Sequence, residues 1–183
     1  MATMILLPDG THDVSAHWGN VGAPTISVAL TTDDGATSYA TCDNHGASMV
    51  VDFAEPDVVT SANSGVAEAD IASIESVRFL SSGKSTHRSS VTRLNIEFDT
   101  PSGNASHLAI YNAHRTDFTT VNGTAMVASD GNANTAWTYS DLENLAMEVT
   151  QVGTIEVYFS YFAMEVAFTL AGVDNATFFG ANF

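Results

Sequence analysis

The segment Asp130-Gly131-Asn132-Ala133-Asn134 puts oxygen-bearing side chains at alternate positions. Calcium loops begin with that spacing, and Asp130, Asn132 and Asn134 are the candidate ligands. The glycine and the twelfth-position glutamate of an EF-hand are missing. Asx-rich turns share this composition for conformational reasons alone, so the segment reads first as a turn and second as a calcium site. Asp33-Asp34 is a weaker site of the same kind. The six histidines are His12, His17, His45, His87, His107 and His114, and none forms an i, i+4 helical pair. Glu156 and Glu165 are the carboxylates a glycosidase reading would use. Their parity on one strand is opposite, so they face different sides unless a bulge intervenes. Cys42 is the only cysteine, and its expected state is a packed free thiol. Nucleophile elbows, zinc-protease helices and phosphate or dinucleotide loops are all missing from the sequence. No acid–base or nucleophile set converges, so neither catalytic nor cofactor-binding residues are assigned, and the expectation is a protein that is not an enzyme.

Two other groups of residues suit binding. Trp18 and Trp137 both adjoin turns, where a sandwich lectin stacks sugar rings on such side chains; otherwise they plug the ends of the core. Phe178, Phe179 and Phe183 crowd the C-terminal end and are hard to leave in water. They fold back on the domain or dock on a neighbour, and the neighbour is favoured.

Charge narrows the partners. Among 183 residues, 5 are Lys or Arg and 21 are Asp or Glu, a formal charge of −16. Such a chain repels phosphate, which argues against nucleic acid. At 45% hydrophobic residues it carries too much apolar side chain for a disordered acidic tail. The apolar start at Met1–Pro8 is too short for a spanning helix and lacks a basic flank. The apolar run at 155–173 is interrupted by Glu156 and Glu165, so a membrane partner is not expected. All five bases lie in 78–115: Arg78, Lys84, Arg88, Arg93 and Arg115. Lys84, Arg88 and Arg93 are therefore the candidate contacts to an acidic neighbour.

The elements that must position these residues are mostly strands. Alternating or near-alternating runs occur at 25–30, 48–53, 71–80, 91–98, 108–111, 118–121 and 154–170. Asp34-Gly35, Pro101-Ser102-Gly103-Asn104 and Asn122-Gly123 separate them as turns. The final run is long enough to require a bend or bulge. Thr138-Tyr139-Ser140-Asp141 has the spacing of a capping box, with Asp replacing the usual Glu. Leu142, Leu145, Ala146 and Val149 then follow a helical period, which predicts one short helix over 138–149. The fold class is all-β: a two-sheet sandwich of jelly-roll type with that single helix. Residues 1–14 read as an N-terminal arm, 15–170 as the sandwich domain and 171–183 as a tail.

With these residues in place, the chain resembles a family of tailed-phage virion proteins. Three segments carry the likeness: Asp33-Asp34-Gly35-Ala36-Thr37-Ser38-Tyr39, Ala136-Trp137-Thr138 to Asp141-Leu142, and the final strand ending at Glu165-Val166. It covers about residues 15–170 and departs in the loop 43–65 and in the tail. The resemblance implies a non-enzymatic structural component of a virus particle, either a head decoration (cement) protein or a tail or fibre part. It would assemble in the host cytoplasm from symmetric copies, a trimer or ring, together with other virion proteins. The alternative is a carbohydrate-binding, lectin-like jelly-roll module used in host attachment.

The excess of unpaired carboxylates gives a direct expectation. Salt screens like-charge repulsion, so the melting temperature rises between about 50 mM and about 1 M NaCl; a flat or falling curve contradicts a repulsion-limited surface.

Overall fold

The structure is a computed structural model of the 183-residue chain. It describes residues 1–34, 37–85, 92–100, 103–111, 117–129, 135–153 and 156–172. Two antiparallel sheets face each other. The first contains β1 (Ala2–Leu6), β3 (Trp18–Val21), β4 (Tyr39–Cys42), β6 (Ile71–Ser85), β9 (Thr119–Asn122) and β11 (Val157–Leu170). The second contains β2 (Pro8–His12), β5 (Ser48–Phe53), β7 (Thr92–Thr100), β8 (Gly103–Tyr111) and β10 (Ala146–Val152), ordered β2-β5-β10-β7-β8. This is the β-sandwich expected from the alternation of apolar side chains.

The frame of the first sheet is the β6–β11 pair, which runs from Val157↔Ser85 to Leu170↔Ile71. On its other side β11 meets two different neighbours. Residues 157–159 pair with β4, and residues 164–168 pair with β1. The gap between them is filled by the end of a short helix, α1 (Ile26–Ala29). There Thr31 bridges Tyr161, and the Phe162 N–H donates to the Leu30 carbonyl at 2.9 Å. Thus the first twelve residues, which read as an arm, give one strand to each sheet.

The core forms where the inward parities meet. On the second sheet Met49, Val51 and Phe53 face Met147 and Val149, which in turn neighbour Ile96 and Phe98. On the first, Phe79, Phe159 and Phe162 are fully buried, with ring centroids 5.1 and 5.2 Å apart in the two pairs that Phe162 makes. Tilted and edge-on pairs of this kind add about 0.5–1.5 kcal/mol beyond burial. Trp18 and Trp137 are 6% and 4% exposed, and their indole N–H groups donate to the Ala47 and Met126 carbonyls. Both plug the core, so neither can stack a sugar by its face.

Two elements differ from expectation. The run 25–30 is not a strand but α1. Thr25 is its N-cap and accepts from the Val28 N–H, a local bond that outcompetes alternation. The second helix, α2, spans only Tyr139–Glu143, not 138–149. Its capping box forms as the sequence predicts: Thr138 accepts from the Asp141 N–H, and Asp141 accepts from the Thr138 N–H at 2.8 Å. Leu142 and Leu145 are buried, but from Ala146 onward the chain is β10. Met147, Val149 and Gln151 also alternate, Val149, Thr150 and Val152 are β-branched, and two flanking strands supply ladder bonds on both sides. A helix there would leave one edge of β5 and one edge of β7 without a partner strand.

Gly83 tests the sheet packing. It faces inward opposite Phe159, and a Cβ there would lie 2.6 Å from the ring and 2.9 Å from the Tyr158 carbonyl. Gly83→Ala is expected to destabilise the fold by about 1–3 kcal/mol in urea unfolding; an unchanged midpoint contradicts this packing.

Candidate functional site

The outward parity of the first sheet carries a group of half-exposed rings. Tyr158 on β11 points away from the core, between buried Val157 and Phe159. Its neighbours are Thr41 on β4 and Lys84 on β6. Tyr39 meets Tyr158 edge-on at 5.4 Å and lies 6.0 Å from Phe118, which precedes β9. The Lys84 ammonium sits over Phe118 at 4.7 Å and over Tyr158 at 5.3 Å. Three aromatic rings and one cation thus span four adjacent strands. Each cation–π contact at such a partly exposed place contributes about 0.5–1 kcal/mol.

A bulge extends this face. Phe159 pairs with Gly83 but Tyr161 pairs with Ser82, so Ser160 is an extra residue. Without it Tyr161 would share the inward parity of Phe159; with it, Phe159 and Phe162 point in while Tyr158 and Tyr161 point out. Ser160 is buried, and its hydroxyl donates to Asp33 at 3.1 Å. Asp34 accepts from the Ser38 N–H at 3.0 Å and from its hydroxyl at 2.9 Å. The aspartate pair therefore has turn-forming roles. Asp33 also holds residues 31–34 beside Tyr161.

The electrostatics are one-sided. Burial first, then a hydrogen bond to Glu156 and the charges of Glu156 and Tyr39, push the Tyr158 phenol up to about 12. Burial and Asp33 raise Tyr161 as well. Both hydroxyls stay protonated, and so remain hydrogen-bond donors, across the physiological range.

The carboxylates read as a possible hydrolase pair are held apart. The bulge puts Glu165 on the same outer face as Tyr158, where it binds Arg78 at 2.6 Å, while Glu156 serves Tyr158. Their separation along the strand is roughly 30 Å at about 3.3 Å per residue. Glycosidase pairs need about 5–9.5 Å.

Of the other sequence candidates, Lys84 lies on the first sheet and Arg93 on the second, so the strands do not bring them together. Arg88, Asp130, Asn132, Asn134, Phe178, Phe179 and Phe183 lie outside the described residues, as do His87 and His114. His12 pairs with Asp52 at 2.9 Å and His17 with Asp43 at 3.0 Å, both on the surface. The His12 ring is raised by Asp52 through that bond and its charge. Cys42 is buried and its thiol is pushed up by that burial, the unreactive state expected of it. Among the described residues no three His, Cys, Asp or Glu side chains converge as a metal site, and no helix is long and apolar enough to cross a membrane.

No protein-family model and no curated protein sequence matches the chain. Solved structures that it resembles include the CBM36-1 domain of a multidomain xylanase from the hindgut metagenome of Trinervitermes trinervoides. That likeness has 11% identity and TM-score 0.44, covering 94% of this chain and all of that one. The CBM22-1–GH10 modules of Clostridium thermocellum xylanase 10B, complexed with xylohexaose, give 10% identity and TM-score 0.48, over 93% of this chain but 29% of theirs. The CBM2 module of an evolved Dit from Lactobacillus casei BL23 phage J-1 gives 6% and 0.37, over 94% and all of each chain. These likenesses are to β-sandwich domains.

The tyrosine titrations predict how alkali acts. A phenol raised in the folded state contributes stability that is complete below its unfolded value near 10 and is lost as pH climbs through the folded value. Stability should therefore fall between about pH 10 and about 12, the Tyr158 window. Tyr158→Phe flattens that fall in pH-dependent urea unfolding. An equally steep loss in the variant contradicts the assignment.

Proposed function

We propose that this chain is a carbohydrate-binding module, without a reaction of its own, that holds a glycan on the outer face of its first sheet. The observation that carries the reading is the Tyr39–Tyr158–Phe118 cluster with Lys84 set among the rings. Sugar rings present apolar C–H faces ringed by hydroxyls. Half-exposed aromatic faces suit the former, and phenol hydroxyls, an ammonium and carboxylates suit the latter. Tyr39, Tyr158 and Lys84 stand on paired strands and Phe118 immediately precedes one, so the rings are positioned before a ligand arrives, which lowers the ordering cost of binding. Tyr161 and Asp33 extend it along β11.

A glycan array on the purified protein should give clear hits. Tyr158→Ala should weaken the best of them by at least about tenfold, as removal of a central aromatic anchor does. An array without hits, or hits untouched by this substitution, overturns the reading.

A second reading, a structural component of a virus particle, rests on the sequence resemblance. One of its motifs, Thr138 to Asp141, makes the capping box that starts α2. That reading expects a closed trimer or ring, and light scattering after size exclusion tests it. A stable trimer or ring that ignores every glycan favours the particle role, and a monomer with glycan hits favours the module.

A further inference from the structure

Lys84 is the charge at the centre of the aromatic face, and the fold gives it rings in place of a counter-ion. It stands half-buried on β6, with its ammonium over Phe118 and Tyr158. Among the described residues no carboxylate forms an ion pair with it. In a chain with 21 acids and 5 bases, that is the opposite of what composition favours. The carboxylates of the same face are engaged elsewhere. Glu165 binds Arg78, Asp33 accepts from the Ser160 hydroxyl, and Glu156 is hydrogen-bonded to the Tyr158 phenol. Each has its own local donor, and the three-donor ammonium keeps N–H groups that no described carboxylate takes.

We infer, resting on the glycan-binding reading above, that the glycan held on this face is acidic: it carries a uronic acid, a sugar ring bearing a carboxylate, which pairs with Lys84. A sugar laid over Tyr158 and Phe118 strips water from the ammonium between them. A neutral sugar replaces that water with hydroxyls alone and leaves a partly desolvated charge without a partner. A ring carboxylate compensates the same charge through charge-assisted hydrogen bonds, roughly twice as strong as neutral ones. The contacts with the two rings hold the ammonium in one place, so the position of the anion is set along with those of the rings. The whole-molecule field adds a limit. At a net charge of −16 the chain repels a polyanion, so the favoured ligand places a uronic acid among neutral sugars and is not an unbroken run of acidic ones.

An array that pairs uronic-acid oligosaccharides with their carboxyl-reduced counterparts tests this. Reduction exchanges the carboxylate for a hydroxymethyl group and leaves the rest of the sugar in place. The best hits should be uronic-acid glycans, and reduction should weaken them at least about tenfold. Calorimetric titration of the best pair then locates the effect. Lys84→Gln should shrink the acid-to-reduced ratio to about twofold or less, whereas Lys84→Arg, which keeps the charge, should preserve a clear preference. Should Lys84→Gln fail to fold, the ratio on the unaltered protein and Lys84→Arg still decide. Hits that bind as well after reduction overturn the inference and leave the glycan-binding reading standing. A preference for the acid that survives Lys84→Gln puts the carboxylate elsewhere and also overturns it. An array without hits overturns both.

Discussion

One extra residue on β11 organises this molecule. Ser160 interrupts the ladder with β6, and at that point the opposite edge of β11 changes partner from β4 to β1. A regular fourteen-residue strand would send Tyr158 and Tyr161 to opposite faces. The bulge lets Phe159 and Phe162 both enter the core and both tyrosines leave it. Core packing and the aromatic outer face thus depend on the same local irregularity. The buried hydroxyl of Ser160 is satisfied by Asp33, so the bulge also anchors residues 31–34.

The scarcity of bases shapes the rest. Arg78 is engaged by Glu165 and Lys84 by rings. Exposed pairs of this kind contribute little each, so the fold is held by apolar burial, and the charges decide mainly what may approach. On the outer face of the first sheet an ammonium of the protein itself sits over rings, so the cation–aromatic attraction there is satisfied internally.

Much of the fold was legible in the sequence. Period-two runs located β5, β6, β7 and β11, and the long final run implied its bulge, because inward and outward side chains alternate wherever one face is buried. The Thr138–Asp141 box was legible because capping is local. The 25–30 run and the 146–149 end of the expected helix misled, because short segments satisfy two periods at once and tertiary pairing decides between them. β1 to β4 are not legible, because runs of four or five residues carry too little alternation. The site was far less legible. Tyr39 stands inside the Asp33–Tyr39 motif and Tyr158 inside the final alternating run, yet the residue at which the strand bulges, and hence the facing of Tyr161, is a property of pairing. The tryptophans are candidates by residue type alone, and their burial excludes them.

The central claim is that the bulged strand presents a ligand-binding aromatic face. Chemical-shift mapping with the oligosaccharide that binds best tests it most directly. The account predicts perturbations gathered on Tyr39, Lys84, Phe118, Tyr158 and Tyr161. Perturbations gathered instead on the outer face of the second sheet, around Val50, Glu97 and Glu148, would contradict it.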